Sequence, residues 1–437
     1  MKKSNLLLYL SLCTAVAWGQ VSPKLQARIT QQAKEIEPKI IEWRRQFHQY
    51  PELSNHEVKT GAKIAEFLKS LGIEVRYPVA ITGVVGVLKG SQPGPVIALR
   101  ADMDGLPITE RNSLPFASKE KAILDGLETG VMHACGHDSH MAILMGVAEI
   151  LSKNKNELKG AVKFLFQPAE EGLPAGEEGG AKLMIKEGAL ENPKVDVVFG
   201  LHIQSWLPLG TLAYRPGPFM AAVDGLNIKV KGLGAHGARP WESIDPIVVS
   251  SQIILGLQTI VSRQTDLTQG AAVITIGNFH SGVRRNIIPE VAMLEGTIRT
   301  FDTEVQKKTH EKITLTATKI AESAGASAEV FIDRMYPVTY NDPDLTEKML
   351  TGLQRTVGSA HVSLISPVTI AEDFSFFQQK VPGLFIFLGA YPADMHLDKV
   401  PGHHTADFMI DERSFIIGVN SLLNLTLDYM FVPKKQF

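Results

Sequence analysis

The sequence predicts an α/β protein interrupted by a smaller α+β unit. Three observations point there. In the first half, helical stripes alternate with short apolar runs, the pattern of a largely parallel sheet covered by helices. After Pro216–Gly217–Pro218 the order changes to strand, helix, strand, strand, helix, strand. That βαββαβ order is the split βαβ sandwich. Beyond about residue 334 the α/β character returns and ends in an amphipathic helix.

Each element has a local reason. Residues 29–49 read as a helix with Ile36, Ile40, Ile41, Trp43 and Phe47 on one stripe. A second helix spans 57–70 and stops at Gly72. Strands follow at 82–88 and 95–100, the latter carrying Val96–Ile97–Ala98–Leu99 and expected to be buried on both faces. A helix over 141–151, a strand at 161–166, helical residues 182–186 and a strand at 195–202 complete the first half. In the inserted unit the strands are 221–231, 272–279, 292–301 and 327–335, and the helices 246–263 and 304–323. Helix 344–356, strand 384–389 and a last helix close the chain. In that helix Phe415, Val419, Leu422, Leu423 and Met430 share a face.

Residues 1–19 stand apart. Lys2 and Lys3 precede an apolar run from Leu6 to Ala17, followed by small residues suited to cleavage. This is the pattern of a secretory signal peptide, and it implies an exported protein, periplasmic or secreted. The run is too short to span a bilayer, and no later segment reaches spanning length, so no stable membrane insertion is expected after cleavage.

Composition excludes several classes. With 437 residues, two or three domains are expected. A charged fraction of 21% and a net charge of −2 speak against disorder and against a nucleic-acid binder. The two cysteines, Cys13 and Cys135, rule out a disulfide scaffold. Only Cys135 survives cleavage, and a lone thiol in an exported protein needs burial or a metal.

The chemistry concentrates at strand ends and loops. His133–Ala134–Cys135–Gly136–His137–Asp138–Ser139–His140 lies between the polar segment 125–130 and a helix. A cysteine alone is more often core than ligand. Three histidines and an aspartate around it reverse that preference, because thiolate and imidazole two residues apart can reach one metal or two adjacent ones. Gln167–Pro168–Ala169–Glu170–Glu171–Gly172 follows a buried strand. Two neighbouring carboxylates there can divide the work, one binding a cation and the other remaining free as a base. Leu201–His202, His403–His404, and Asp102 with Asp104 add further groups.

These motifs are recognisable. Leu99–Arg100–Ala101–Asp102–Met103–Asp104–Gly105–Leu106–Pro107, His133 through Asp138, Gln167 through Glu171, and Asn286–Ile287–Ile288–Pro289 resemble the co-catalytic metal amidohydrolases. That family includes hippurate hydrolase, N-acyl-amino-acid amidohydrolases and auxin-conjugate hydrolases, and more distantly carboxypeptidase G and aminoacylase. The resemblance covers nearly the whole mature chain. It implies a metal-dependent exopeptidase-like catalytic domain, residues 20–216 and 334–437, with an inserted ferredoxin-like lid and dimerisation domain, residues 217–333.

The resemblance also implies roles. Cys135, His137, Glu171, His202 and His404 match metal ligands for two divalent ions, zinc or manganese, with nickel or cobalt allowed. Cys135 stands where the wider superfamily has a bridging aspartate. Asp102 stands where that superfamily has a metal-binding histidine, and is not counted as a ligand. Asp104 matches an aspartate that orients the site. His403 is the rival to His404. Glu170 matches the general base, His236 a histidine that reaches the partner subunit's site, and Asn286 and Arg299 substrate-binding positions. By pattern alone Arg299 is an ordinary strand arginine. Residues 172–180 are longer than the usual link after the paired glutamates, so the pocket rim is expected to differ.

The expected activity is metal-dependent hydrolysis of N-acyl amino acids by a homodimer, with metallo-carboxypeptidase or dipeptidase action on short peptides as the alternative. Two further classes are a metal-binding protein that lost its chemistry, against which the intact Glu170 speaks, and a cysteine hydrolase using Cys135.

Overall fold

A computed structural model describes residues 21–431 apart from Asp125 and Ala393. Residues 1–19, read above as a signal peptide, therefore lie outside the described residues.

The main sheet has eight strands. Its centre is four parallel strands in spatial order Lys159–Gln167, Gln92–Asp102, Val197–Pro208 and Gly383–Tyr391. Strands Gly83–Lys89 and Glu74–Val79 add antiparallel at one edge. Leu212–Tyr214 adds antiparallel at the other, followed by a parallel strand, Val362–Leu364. The sheet is thus mixed, which corrects the expectation of a largely parallel one. Short turns reverse the outer strands, and Glu74–Val79 is half-exposed, so its apolar signal is weak.

Two layers cover this sheet. Helices Pro23–Gln49, His137–Lys153 and Phe415–Phe431 bury Ile40, Leu144, Val419 and Leu423 against Leu99, Phe164 and Ile386. The first helix starts earlier than its apolar stripe suggests, because the Ser22 side chain caps it and Pro23 opens it. On the opposite face Phe219, Phe374, Phe385 and Phe387 form a second core with Met184 of helix Gly180–Lys186.

The inserted unit is a four-stranded antiparallel sheet in the order Ala272–Ser281, Val291–Thr300, Ala222–Lys231, Ser327–Tyr336. Helices Pro246–Thr259 and Thr303–Ser323 cover one face and share with the sheet a core of their own, including Ile228, Ile253, Leu294 and Ile313. The chain enters through strand Gly217–Met220 and returns through Thr339–Asn341, and these two strands pair with each other. The result is the α/β fold with an inserted α+β unit. Residues Pro246–Gln264 are long and apolar enough by composition to cross a membrane, contrary to the sequence expectation. Val249, Ile253, Leu257 and Ile260 of that helix are nevertheless buried on the inserted sheet.

Candidate metal centre

The parallel strands bring the singled-out residues to one end of the sheet. Strand Gln92–Asp102 delivers Asp102 and, two residues on, Asp104. Strand Lys159–Gln167 delivers Glu170 and Glu171 after a turn in which Ala169 has a φ of 53°. His202 lies in mid-strand rather than at a strand end, because Val197–Pro208 continues six residues past it. Its neighbour Gln92–Asp102 stops pairing at Arg100–Gly200, so His202 still emerges where the sheet opens. His137 opens its helix instead of sitting in the preceding loop, and Gly136 before it has a φ of 98°. That conformation suits glycine. The His404 amide donates to Ala134 O at 2.9 Å, which ties the last loop to the Cys135 loop.

Five ligand-type side chains meet. Cys135 Sγ is 3.3 Å from Nε2 of both His202 and His404. Glu171 Oε1 is 3.3 Å from His404 Nε2 and 3.7 Å from His137 Nε2. The donors form two triplets that share the sulfur, Cys135–His137–His202 and Cys135–Glu171–His404, and His137 and Glu171 form a third with Glu170. Of the two neighbouring histidines, His404 is the one whose Nε2 reaches the sulfur. His403 turns Nε2 to accept from the Ser205 amide at 3.1 Å and packs against Phe408.

Hydrogen bonds behind the cluster fix the imidazole tautomers. His137 Nδ1 donates toward Asp104, 2.9 Å from its carbonyl and 3.2 Å from its carboxylate. His202 Nδ1 donates to Ile203 O at 2.6 Å. Both therefore turn Nε2 inward, the nitrogen that a metal would take once its proton is displaced. His140 does not. Its Nε2 accepts from the Ile203 amide at 2.8 Å and its Nδ1 faces Asp102 at 2.6 Å, so neither nitrogen is free. Asp102 is also occupied at its other oxygen, by Arg100 at 2.6 Å.

The donor set fits divalent cations. His137 Nε2 and Glu171 Oε1 are buried without a hydrogen-bond partner, an expensive arrangement unless something else satisfies them. Burial, then Glu171 and Glu170, push the Cys135 thiol well up. Burial, then Glu372, Glu171 and Asp373, push the Glu170 carboxyl up, while Arg100 opposes them. Burial works against charge on His137, but Asp102 and Asp104 raise it to about 10. Crowded acids that hold on to protons mark a place short of positive charge, and cations there would displace those protons.

Sequence reasoning missed a buried ionic group behind Glu170. Arg100 donates to Gln167, Asp102, Glu372 and Asp373 at 2.6–2.9 Å. Glu170, Glu372 and Asp373 place their oxygens within 4.8 Å of one another. Two signals were available: an arginine inside an otherwise apolar buried strand, and a second pair of adjacent carboxylates before Phe374. Tyr336 was missed as well. Its hydroxyl donates to Glu170 O at 2.7 Å, and burial with the nearby Glu170 carboxylate keeps the phenol protonated.

The inserted-unit residues are placed elsewhere in this chain. His236 is exposed on a two-residue strand paired with Ile287–Ile288, and its Nδ1 accepts from the Ala238 amide at 3.0 Å. Asn286 precedes that paired strand, and its carbonyl accepts from the Gly237 amide at 2.9 Å. Arg299 is half-buried opposite Val223 and Val273. The structure thus brings together Cys135, His137, Glu170, Glu171, His202, His404 and Asp104, while His236, Asn286 and Arg299 are not among the side chains that meet there.

Residues 98–428 match the family model described as Peptidase family M20/M25/M40. The chain is 42% identical over 399 residues to thermostable carboxypeptidase 1 of Saccharolobus solfataricus, covering 90% of this chain and 96% of that protein. It is 41% identical over 384 residues to N-acetyl-L-cysteine deacetylase of Bacillus subtilis, covering 87% and 86%. Among solved structures, the Bacillus subtilis YXEP protein, a dinuclear metal binding peptidase from the M20 family, superposes with a TM-score of 0.75 at 35% identity, over 92% of this chain and 100% of that one.

Proposed function

The chain belongs to peptidase family M20/M25/M40, and from that premise we propose that it hydrolyses the amide bond of N-acyl amino acids, releasing a carboxylic acid and a free amino acid. The carrying observation is four ligand atoms converging around the Cys135 sulfur, with Glu170 grouped beside His137 and Glu171 but not with the sulfur. Cys135, His137, Glu171, His202 and His404 would hold two divalent ions, zinc or manganese, with nickel or cobalt as further options. Bound there, the ions would polarise the scissile carbonyl and acidify the attacking water.

The residues of the chain do the rest. Glu170, 3.9 Å from His137 Nε2, takes the proton of the attacking water and hands it to the leaving amine. Asp104 holds His137 in the tautomer that ligates. Arg299 pairs with the substrate carboxylate, for which a guanidinium fork is suited, and Asn286 helps seat it. His236 stabilises the oxyanion. Because His236 is not at the metal centre of its own chain, it is assigned to the site of a second subunit in a homodimer. Val248 and Leu255, 54% and 70% exposed on helix Pro246–Thr259, and the free edge of strand Ala272–Ser281 offer an apolar surface for that contact. Export of the mature protein is proposed from the residue 1–19 pattern alone.

The acyl-amino-acid reading is supported by a relative named as a deacetylase of an N-acetyl amino acid. One observation favours a second reading, carboxypeptidase action, since an equally similar relative bears that name. Purified protein assayed for metal content and against a panel of N-acyl amino acids and dipeptides separates them. Release of amino acid from dipeptides alone would reject the first reading. Activity that survives chelation would reject the metal mechanism and return Cys135 as a nucleophile.

A further inference from the structure

Three backbone groups of the Glu170 turn are each held by a different side chain. The Ala169 amide donates to Glu57 Oε1 at 2.8 Å, and the Glu171 amide donates to Asp104 Oδ2 at 2.9 Å. The Glu170 carbonyl accepts from the Tyr336 hydroxyl at 2.7 Å. Holding is needed, because Ala169 sits at a φ of 53°, a conformation a residue with a Cβ keeps only when its surroundings impose it. Glu57 and Asp104 belong to the body that carries the metal centre. Tyr336 does not. It is the last residue of strand Ser327–Tyr336, an edge of the four-stranded inserted sheet, and is in register with Val223. Three residues later Thr339 pairs with Met220, so Tyr336 stands where the chain crosses between the two sheets.

The ring of Tyr336 is partly buried. It meets Phe376 edge-on, with centroids 6.2 Å apart. Beside it lies a cavity of about 660 Å³, lined in part by Leu173, Leu183, Met335 and Phe376. The hydroxyl contact ties this ring to the peptide between Glu170 and Glu171, whose amide is held from the other side by Asp104.

We propose that Tyr336 is a positioning residue that makes the placement of Glu170 depend on the orientation of the inserted unit. The argument rests on Glu170 as the base. When the unit swings, the strand end that carries the hydroxyl swings with it, and the Glu170 turn loses one of its three supports. The base is then aimed at the attacking water only in the orientation that makes this bond.

The test is a double-mutant cycle on metal-loaded full-length protein, with kcat and KM measured for wild type, Tyr336→Phe, Glu170→Gln and the double variant. Tyr336→Phe is expected to lower kcat about five- to tenfold, the loss of one buried hydrogen bond, with KM within about twofold. Metal content should stay at the wild-type value. In the Glu170→Gln background the same change should cost nothing further, because its effect passes through the base. An unchanged kcat overturns the proposal, as does an equal loss in both backgrounds or a loss that follows reduced metal content. If Glu170→Gln were as active as wild type, the base assignment itself would fall, and that outcome is distinct from a neutral Tyr336→Phe beside a crippled Glu170→Gln. Should only dipeptides be cleaved, the cycle is run on a dipeptide, and the substrate reading fails without touching Tyr336.

Discussion

His137 turns its Nδ1 onto Asp104, 2.9 Å from the backbone carbonyl and 3.2 Å from the carboxylate of the same residue, and so leaves Nε2 as its only free nitrogen. Asp104 also accepts from the Glu171 amide and from Ser54, which makes it the joint between two ligand-bearing loops. Asp104→Ala should therefore weaken metal affinity about 10–100-fold, the usual effect of losing such an outer partner. Titration of apo protein with zinc or manganese checks this. Affinity within twofold of wild type would mean that the joint is dispensable.

Metal-saturated protein should contain two ions per subunit, because five ligands exceed what one tetrahedral site accepts. Cys135→Ser should lower that stoichiometry or loosen both ions, since the sulfur is common to both triplets. Elemental analysis of wild type and variant after the same loading decides it. Unchanged content and activity in Cys135→Ser would make the cysteine merely a packed core residue.

The paired glutamates should behave differently. Glu170→Gln should keep its metals and lose about 10²–10⁴ in turnover, as expected for a general base. Glu171→Gln should lose metal first, because Glu171 Oε1 lies between His137 and His404. Near-normal turnover in Glu170→Gln would require another base.

Mixing should reveal whether His236 acts across subunits. Glu170→Ala and His236→Ala proteins, each inactive alone, are combined under conditions of subunit exchange. With random pairing half the dimers are mixed, and each has one intact site, so about a quarter of wild-type activity should return. Tagged mixed dimers that remain inactive would rule the arrangement out, and a monomer by sedimentation would remove its premise.

Stability should fall as pH rises, through His48. Both ring nitrogens face carboxylates, Asp138 at 2.7 Å and Glu110 at 3.1 Å. Burial and the neighbouring Arg44 guanidinium oppose the charge, yet these carboxylates raise the imidazole above its usual range. A raised folded-state value means that the contribution is complete below the unfolded value of about 6.5 and is lost as pH climbs through the folded one. Urea unfolding of metal-loaded protein across that range should show the decline. His48→Gln should remove that slope and cost about 3–5 kcal/mol at pH 6, the cost of breaking a buried ion pair.

The sequence by itself determined the elements whose signal is local. Apolar periodicity located the helix containing Ile36, Ile40 and Phe47, the buried strand around Val96–Leu99, and the βαββαβ order after Pro216. Short motifs of soft and acidic residues singled out Cys135, His137, Glu170 and Glu171 as candidates, because metal chemistry restricts residue type and spacing within a few positions. What depends on distant partners was left to the tertiary structure. Only folding brings His404 to Cys135 across a sequence separation of 269 and gives His403, next to it, a backbone amide instead. Only folding sets Arg100 among Asp102, Glu372 and Asp373, and brings Tyr336 to the Glu170 carbonyl. The physical reason is that a hydrogen bond or a ligand sphere is decided within about 3 Å in space, whereas periodicity and spacing report only on neighbours along the chain.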